Sequence, residues 1–270
     1  MAKVSNNVRK YGGFFMVDLH SHIIWGVDDG SKSREMTLNM LNLAIEGGTN
    51  KIVCTPHYMP GYYEYTLDEI KKRQIDLKKL ILEEGLDIEI YIGQEVYYTN
   101  NILENYEKGY IGTINNSRYM LIEFDMRSFS STEVLENLYE LQLKGIVPII
   151  AHPERYIKFI KKPSLINEFI KEGFLFQLNI GSLLGHFGTE VKKLAESYLK
   201  NKVYSAIGSD GHRDEKRTTN MKEGIKIIEK LDADYLRYLN KSGEKILENE
   251  EISFRGSLIK EKKGIFSIFG

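Results

Sequence analysis

Seven short apolar runs, each handed on to a longer segment with helical spacing, constrain this chain more than any other feature. They fall at about 14–20 (FFMVDLH), 51–55 (KIVCT), 88–93 (IEIYIG), 118–124 (RYMLIEF), 146–151 (IVPIIA), 174–180 (FLFQLNI) and 203–208 (VYSAIG). The runs are continuous rather than alternating, as in parallel strands covered on both faces. A helical pattern over about 33–46 stops at Gly47-Gly48, a C-cap signal. Thr66-Leu-Asp-Glu69 is a capping-box pattern opening a helix that runs to Gly85, and Ser130-Ser-Thr-Glu133 opens another that stops at Gly145. Further helices fit about 164–172, 189–201, 219–231 and 234–247. Strand–helix alternation with no return strand predicts a parallel sheet. Seven units predict an α/β barrel close to the (β/α)8 type but one unit short, with a doubly wound open sheet as the alternative.

A chain of 270 residues, 42% of them hydrophobic, is long enough for one large core. Its 37 basic and 38 acidic residues nearly cancel, which argues against a general nucleic-acid binder. The single cysteine, Cys54, excludes an internal disulfide framework and fits a reducing cytoplasm. No run of about 18 apolar residues suggests a transmembrane segment. The start, MAKVSNNVRKYGGFF, has no apolar core or small-residue cleavage site and does not read as a signal peptide. A cytoplasmic protein is expected.

The candidate chemistry lies where the strands end. The first run closes with His20 and His22, followed by Asp28, Asp29 and Gly30; His57 follows the second and Glu95 the third. The fourth reaches Glu123, the fifth runs into His152, and the seventh is followed by Asp210 and His212. The sixth offers Asn179 instead. Parallel barrels build their active sites at the C-terminal ends of the strands. Of the six histidines, five lie at such ends, and only His186 in LGHFGT does not. A lone histidine there is more often a hydrogen-bonded structural residue than a ligand. Five of them sharing one rim with carboxylates, whose burial without a cation would be costly, point to metal.

Imidazole and carboxylate without thiolate suit Mn, Fe or Zn better than Ca or Cu(I). About nine ligands exceed the needs of one ion, so two or three divalent ions are expected. Clustered ions with a bridging carboxylate suit hydrolysis of a phosphate ester. Arg155 in AHPERY and Arg217 in SDGHRDEKR follow metal-ligand candidates and are suited to gripping phosphate, with Arg213 competing for the place of Arg217. A cysteine-based phosphatase loop is absent, because Pro60 stands where its arginine would follow Cys54. No GxxxxGK[ST] nucleotide loop occurs. Ser21 and Ser209, beside the candidate ligands, read as structural.

The motifs His20-Ser-His22, Asp28-Asp29-Gly30, Thr55-Pro-His57, Gly93-Gln-Glu95, Ile122-Glu123-Phe124, Ala151-His152-Pro-Glu-Arg155 and Ser209-Asp-Gly-His212 resemble the PHP (polymerase and histidinol phosphatase) superfamily. More closely, they resemble the CpsB/CapC-type manganese-dependent protein tyrosine phosphatases of bacterial capsule and exopolysaccharide loci. The resemblance implies a distorted (β/α)7 TIM-like barrel of the PHP type holding Mn2+, with Fe or Zn as substitutes. One ion would take His20, His22, Glu95 and Asp210. A second would share Glu95 as a bridge and add Glu123 and His152. The third would use Asp29, His57 and His212, with Asp28 left as a partner to a ligand. Arg155 and Arg217 match arginines near the phosphate, so that these two and Glu95 are the expected catalytic residues.

The implied function is hydrolysis of phosphotyrosine on the tyrosine-rich tail of a bacterial kinase controlling capsule synthesis. A small-molecule phosphatase of the histidinol-phosphate type is the alternative, and a non-catalytic binding module a third. The aromatic stretch PGYYEYT after His57 suits an open mouth for a peptide, although a loop of exposed tyrosines is the plainer reading. Residues 16–252 are expected to form the phosphatase domain, and 1–15 an N-terminal extension, either native or a remnant of cloning. The tail, 253–270, ends basic then apolar (KEKKGIFSIFG), suiting either contact with a partner or membrane surface or a frayed terminus.

Overall fold

The structure is a computed structural model that describes residues 15–261. Its strands are β1 (Met16–Ser21), β2 (Thr49–Cys54), β3 (His57–Tyr58), β4 (Glu89–Ile92), β5 (Glu95–Tyr97), β6 (Tyr119–Glu123), β7 (Val147–Ala151), β8 (Leu175–Asn179) and β9 (Ala206–Gly208). Every ladder between them is parallel. They form a three-stranded sheet, β1-β2-β4, and a six-stranded sheet, β3-β5-β6-β7-β8-β9.

These two sheets are one barrel wall of seven staves. β2 and β3 are successive pieces of one stave, broken at Thr55-Pro56, and β4 and β5 pieces of the next, broken at Gly93-Gln94. Pro56 has no N–H to give the ladder, which is where that stave must bend. Backbone bonds carry the wall across both breaks: Thr55 N donates to Ser21 O at 2.8 Å and Gly93 N to Cys54 O at 2.9 Å. The last stave meets the first through a bridge between Ser21 and Gly211, flanked by Asp210 N to His20 O at 2.8 Å and His22 N to Gly211 O at 2.9 Å. The seven-unit barrel expected from the sequence is therefore the fold, and the open sheet is not.

Alternate side chains of each strand face opposite sides of the wall. Val17, Leu19, Val53, Tyr119, Leu121, Ile149, Ala151 and Leu175 fill the barrel interior, joined by Ile246 and Leu247. Met120, Ile122, Ile150, Phe176 and Leu178 pack outward among the helices. Ile52, Cys54, Ile90 and Ile92 do the same beneath Arg34–Glu46 and Leu67–Glu84. The predicted helix starts hold: Thr66 and Glu69 complete a reciprocal capping box, and the Ser130 side chain accepts from Glu133 N. The short helices Ile102–Glu107, Ile157–Lys161 and Ile180–Leu184 had no counterpart in the sequence reading. At five or six residues they are too brief for an apolar period to register.

The N-terminal segment expected as an extension lies, apart from Phe15, outside the described residues. Of the C-terminal segment, residues 253–261 are described. Ile259 is buried in the main core, and its backbone N and O pair with the Asn167 amide at 2.8 and 2.9 Å. Residues 262–270 lie outside the described residues.

Candidate metal centre

His20 and His22 aim their Nε2 atoms at one another, 3.1 Å apart. Each ring is fixed from behind: His20 Nδ1 lies 3.0 Å from Gln177 Oε1, and His22 Nδ1 lies 2.6 Å from Asp28 Oδ2. Those oxygens only accept, so in the neutral imidazoles both Nδ1 atoms carry the hydrogen and both Nε2 atoms are bare lone pairs. Asp28 also accepts from Gly30 N at 2.8 Å and from His57 N at 3.0 Å. A Cβ at Gly30 would stand 2.2 Å from His22 O, which is why glycine closes this loop.

Glu95 sits at the centre. Its Oε2 lies 3.2 Å from His20 Nε2, 3.3 Å from His22 Nε2 and 3.1 Å from His57 Nδ1, and its Oε1 lies 2.9 Å from His152 Nε2. Asp210 Oδ1 is 3.6 and 3.5 Å from the facing nitrogens of His20 and His22. Glu123, which continues the inward row of Tyr119 and Leu121, reaches His152 Nε2 at 3.5 Å and His57 Nδ1 at 3.8 Å. On the outer side Asp29 Oδ1 lies 3.6 Å from His57 Nε2 and 3.4 Å from His212 Nε2.

All nine candidate ligands thus converge at one rim. Donor atoms of eight of them gather into three groups: His20, His22, Glu95 and Asp210; His57, Glu95 and Glu123; and His22, Asp29, His57 and His212. The first is the set the resemblance implied. The second differs, since His57 Nδ1 stands with the two glutamates while His152 approaches the same pair from the other side. The third gains His22. His57 therefore lies between two positions, one nitrogen toward each.

The donor set fits divalent metal. Buried Asp29 Oδ1 and His57 Nδ1 make no hydrogen bond, a costly state for polar atoms without a cation. The facing donors are spaced as atoms sharing an ion at about 2.1 Å would be. Charge points the same way. Burial alone would raise the Glu95 carboxyl, but the His20 and His57 imidazoles hold it well below the ordinary range. Burial, then the neighbouring Glu95 charge, pushes the Glu123 carboxyl well above it. Burial and the Arg155 charge bring His152 down to about 4, keeping the imidazole in its neutral, ligating form. Cys54 faces the helices, fully buried, and burial raises its thiol far above the usual range.

Arg155 and Arg217 come from different loops and meet at Asp210. Arg155 Nη1 donates to Asp210 Oδ2 at 2.8 Å, and Arg217 Nη2 reaches both oxygens at 2.9 and 2.8 Å. Arg217 Nε is buried with no acceptor. The structure separates Arg217 from Arg213, whose head turns away and donates to the backbone carbonyls of Asp29, Gly30 and His212. His152, Asp210 and Arg217 all have positive φ, at 32°, 51° and 52°. Non-glycine residues hold such conformations only where their surroundings over-determine them, and functional sites are where this clusters. Ser21 and Ser209 are tied to backbone, with Ser21 Oγ donating to Val53 O at 2.7 Å and Ser209 Oγ to His20 O at 3.2 Å.

Sequence reasoning missed Gln177, although it precedes Asn179 by two on β8 and so shares its inward face. Asn179 Nδ2 donates to Asp210 Oδ2 at 2.7 Å.

A family model described as capsular polysaccharide synthesis, CpsB/CapC, matches residues 16–248. The chain belongs to the CpsB/CapC family. It is 35% identical over 220 residues to the tyrosine-protein phosphatase CpsB of Streptococcus pneumoniae, covering 80% of this chain and 90% of that protein. It is 28% identical over 256 residues to the tyrosine-protein phosphatase YwqE of Bacillus subtilis, covering 94% and 100%. A crystal structure from work on YwqE and CpsB, described as unique metal-dependent tyrosine phosphatases, superposes with a TM-score of 0.86 at 27% identity, covering 91% of this chain and all of that one. A TatD-family hydrolase from Entamoeba histolytica, at 12% identity and a TM-score of 0.53, shares the fold alone.

Proposed function

We propose that this chain is a metal-dependent protein-tyrosine phosphatase that works in the cytoplasm on the phosphorylated tyrosine-rich tail of a bacterial kinase governing capsule synthesis. The observation that carries this reading is the convergence of nine imidazole and carboxylate ligands with two arginines at one barrel rim. Manganese is the metal proposed, in two or three positions. The ligands are His20, His22, Asp29, His57, Glu95, Glu123, His152, Asp210 and His212. Bound ions of this kind acidify a water and stabilise the attacking and leaving oxygens of a phosphate ester.

The chain's own groups do the rest. Gln177 and Asp28 hold His20 and His22 in the tautomer that turns Nε2 inward. Glu95 spans two donor groups and keeps them in register. Arg155 and Arg217 present guanidinium N–H groups at the Asp210 edge, where a phosphoryl group's oxygens would be received. A polypeptide substrate is favoured by the loop after β3, a small hairpin closed between Met59 and Tyr63. Tyr63 stacks over His57 at 6.0 Å between ring centroids, and Tyr62 is 79% exposed beside it. Among the described residues no helix is long and apolar enough to cross a membrane.

A turnover assay comparing a phosphotyrosine peptide with histidinol phosphate, with and without Mn2+, tests the reading. Manganese-dependent release of phosphate from the peptide is expected to dominate. Preference for histidinol phosphate would move the enzyme to the small-molecule class, and no turnover of either would leave a binding module.

A further inference from the structure

The chain between β8 and the helix Thr189–Lys200 makes a turn, Gly185-His186-Phe187-Gly188, that contributes nothing to the three donor groups. Both glycines have positive φ, 84° and 96°, and Gly188 N donates to Gly185 O at 3.1 Å. His186 N is tied to Gly181 O, also at 3.1 Å. The turn is thus held at both ends and from below. His186 is exposed, while Phe187 is half-buried. Beneath the phenyl ring is bare backbone: a Cβ at Gly181 would stand 3.2 Å from Phe187 Cε2.

Two cations share that ring. The Arg155 guanidinium carbon lies 4.4 Å from the ring centroid and that of Arg217 lies 5.9 Å from it. Both distances fall within about 6 Å, where the ring's negative face attracts a cation. The two arginines arrive from the loops after β7 and β9 and meet at Asp210, and Phe187, from the loop after β8, is the ring that both of them reach. Phe187 and Arg217 also line a recess of about 510 Å³ that opens beside the arginine, with His186 and Lys216 on its rim. An anion can reach Arg217 from that side, past Glu215, which lines the same recess.

We propose that Phe187 is a positioning residue that sets the spacing and tilt of Arg155 and Arg217, making one phosphate-receiving fork of two side chains from separate loops. The proposal rests on the phosphatase reading for the identity of the substrate. The fork itself receives a phosphate group whatever carries it. A ring does this where an aliphatic side chain would not, because its quadrupole offsets the repulsion between two adjacent guanidinium groups.

The test is calorimetric titration of inorganic phosphate into manganese-loaded full-length protein, with steady-state kinetics on a phosphotyrosine peptide. Phe187→Ala should weaken phosphate binding roughly 5- to 30-fold, the range of one to two cation–ring contacts. It should raise KM more than it lowers kcat and leave metal content unchanged. Phe187→Tyr should stay within about two-fold of the parent, and Phe187→Leu should fall with the alanine variant, since it fills space without a π face. In an Arg155→Ala background the Phe187→Ala loss should shrink, because contacting residues are coupled. Unchanged phosphate affinity in Phe187→Ala, or leucine performing as well as tyrosine, would overturn the proposal. If the alanine variant does not fold, the tyrosine–leucine comparison decides. A parent that binds phosphate with this ring dependence yet leaves the phosphotyrosine peptide intact would sink the phosphatase reading and spare the fork.

Discussion

One oxygen of Asp28 serves two of the histidines: Oδ2 receives His22 Nδ1 at 2.6 Å and the His57 backbone N–H at 3.0 Å. An amide in its place would offer a hydrogen to His22 Nδ1 and favour the tautomer that turns the wrong nitrogen inward. Asp28→Asn should therefore cost about 10- to 100-fold in manganese affinity or turnover, the usual effect of disturbing a ligand's partner. Titration of metal into the stripped variant measures it.

Glu95→Gln should do more damage than Asp28→Asn, because Glu95 belongs to two donor groups and Asp28 to none. Elemental analysis of the parent should find two or three divalent ions per chain, and chelation should abolish activity. One ion or none in active enzyme would remove the multinuclear site.

Cys54→Ala should leave turnover within a few-fold of the parent. The thiol is fully buried on the helix side of β2, and burial drives it far from the thiolate a nucleophile needs. Inactivation with fold and metal content intact would mean that a cysteinyl step had been overlooked.

Arg155→Ala and Arg217→Ala should leave metal content unchanged and lower kcat/KM by about 30-fold to several thousand-fold, as for a lost charged contact of roughly 2–5 kcal/mol. Lysine should restore only part, keeping charge but not the fork. Arg213→Ala should act differently. Its head is bonded to the Asp29 and Gly30 carbonyls, so its removal should release the Asp29 loop and show first as weaker metal retention. Metal content after dialysis distinguishes the two kinds of arginine.

Gly208→Ala should destabilise the barrel by about 1–3 kcal/mol, the cost of overpacking. A Cβ there would stand 2.5 Å from His20 Cβ and 3.0 Å from its backbone nitrogen, neither of which can swing aside. Thermal denaturation with bound manganese reads the effect.

The strand ends were legible because a parallel stave is short, apolar and followed at once by what it presents: His20, Glu123, His152 and Asp210 needed only their own neighbours in sequence to be found. The seven-stave count was legible for the same reason. What the sequence hid was pairing across the barrel. Nothing local says that Gln177 holds His20, or that Arg213 turns to the Asp29 loop while Arg217, four residues on, turns to Asp210. The continuation of two staves past Thr55-Pro56 and Gly93-Gln94 was hidden too, since two- and three-residue strands have no period to read.

The bridge between Ser21 and Gly211 makes the site late to assemble. Ser209 N donates to Asp18 Oδ1 at 2.9 Å across 191 positions of sequence, and Asp210 reaches His20 only when the first and last staves have met. Contacts of such long separation are the slow ones to form, because the entropy of closing the intervening loop precedes their reward. All seven staves can ladder side by side before this seam exists. Metal captured across it by His20 and Asp210 would act as a clasp on the closed ring, so that stripping the ions should speed unfolding as well as stop turnover. A chain cut short before residue 210 would retain most of the wall and lack the seam on which its chemistry depends.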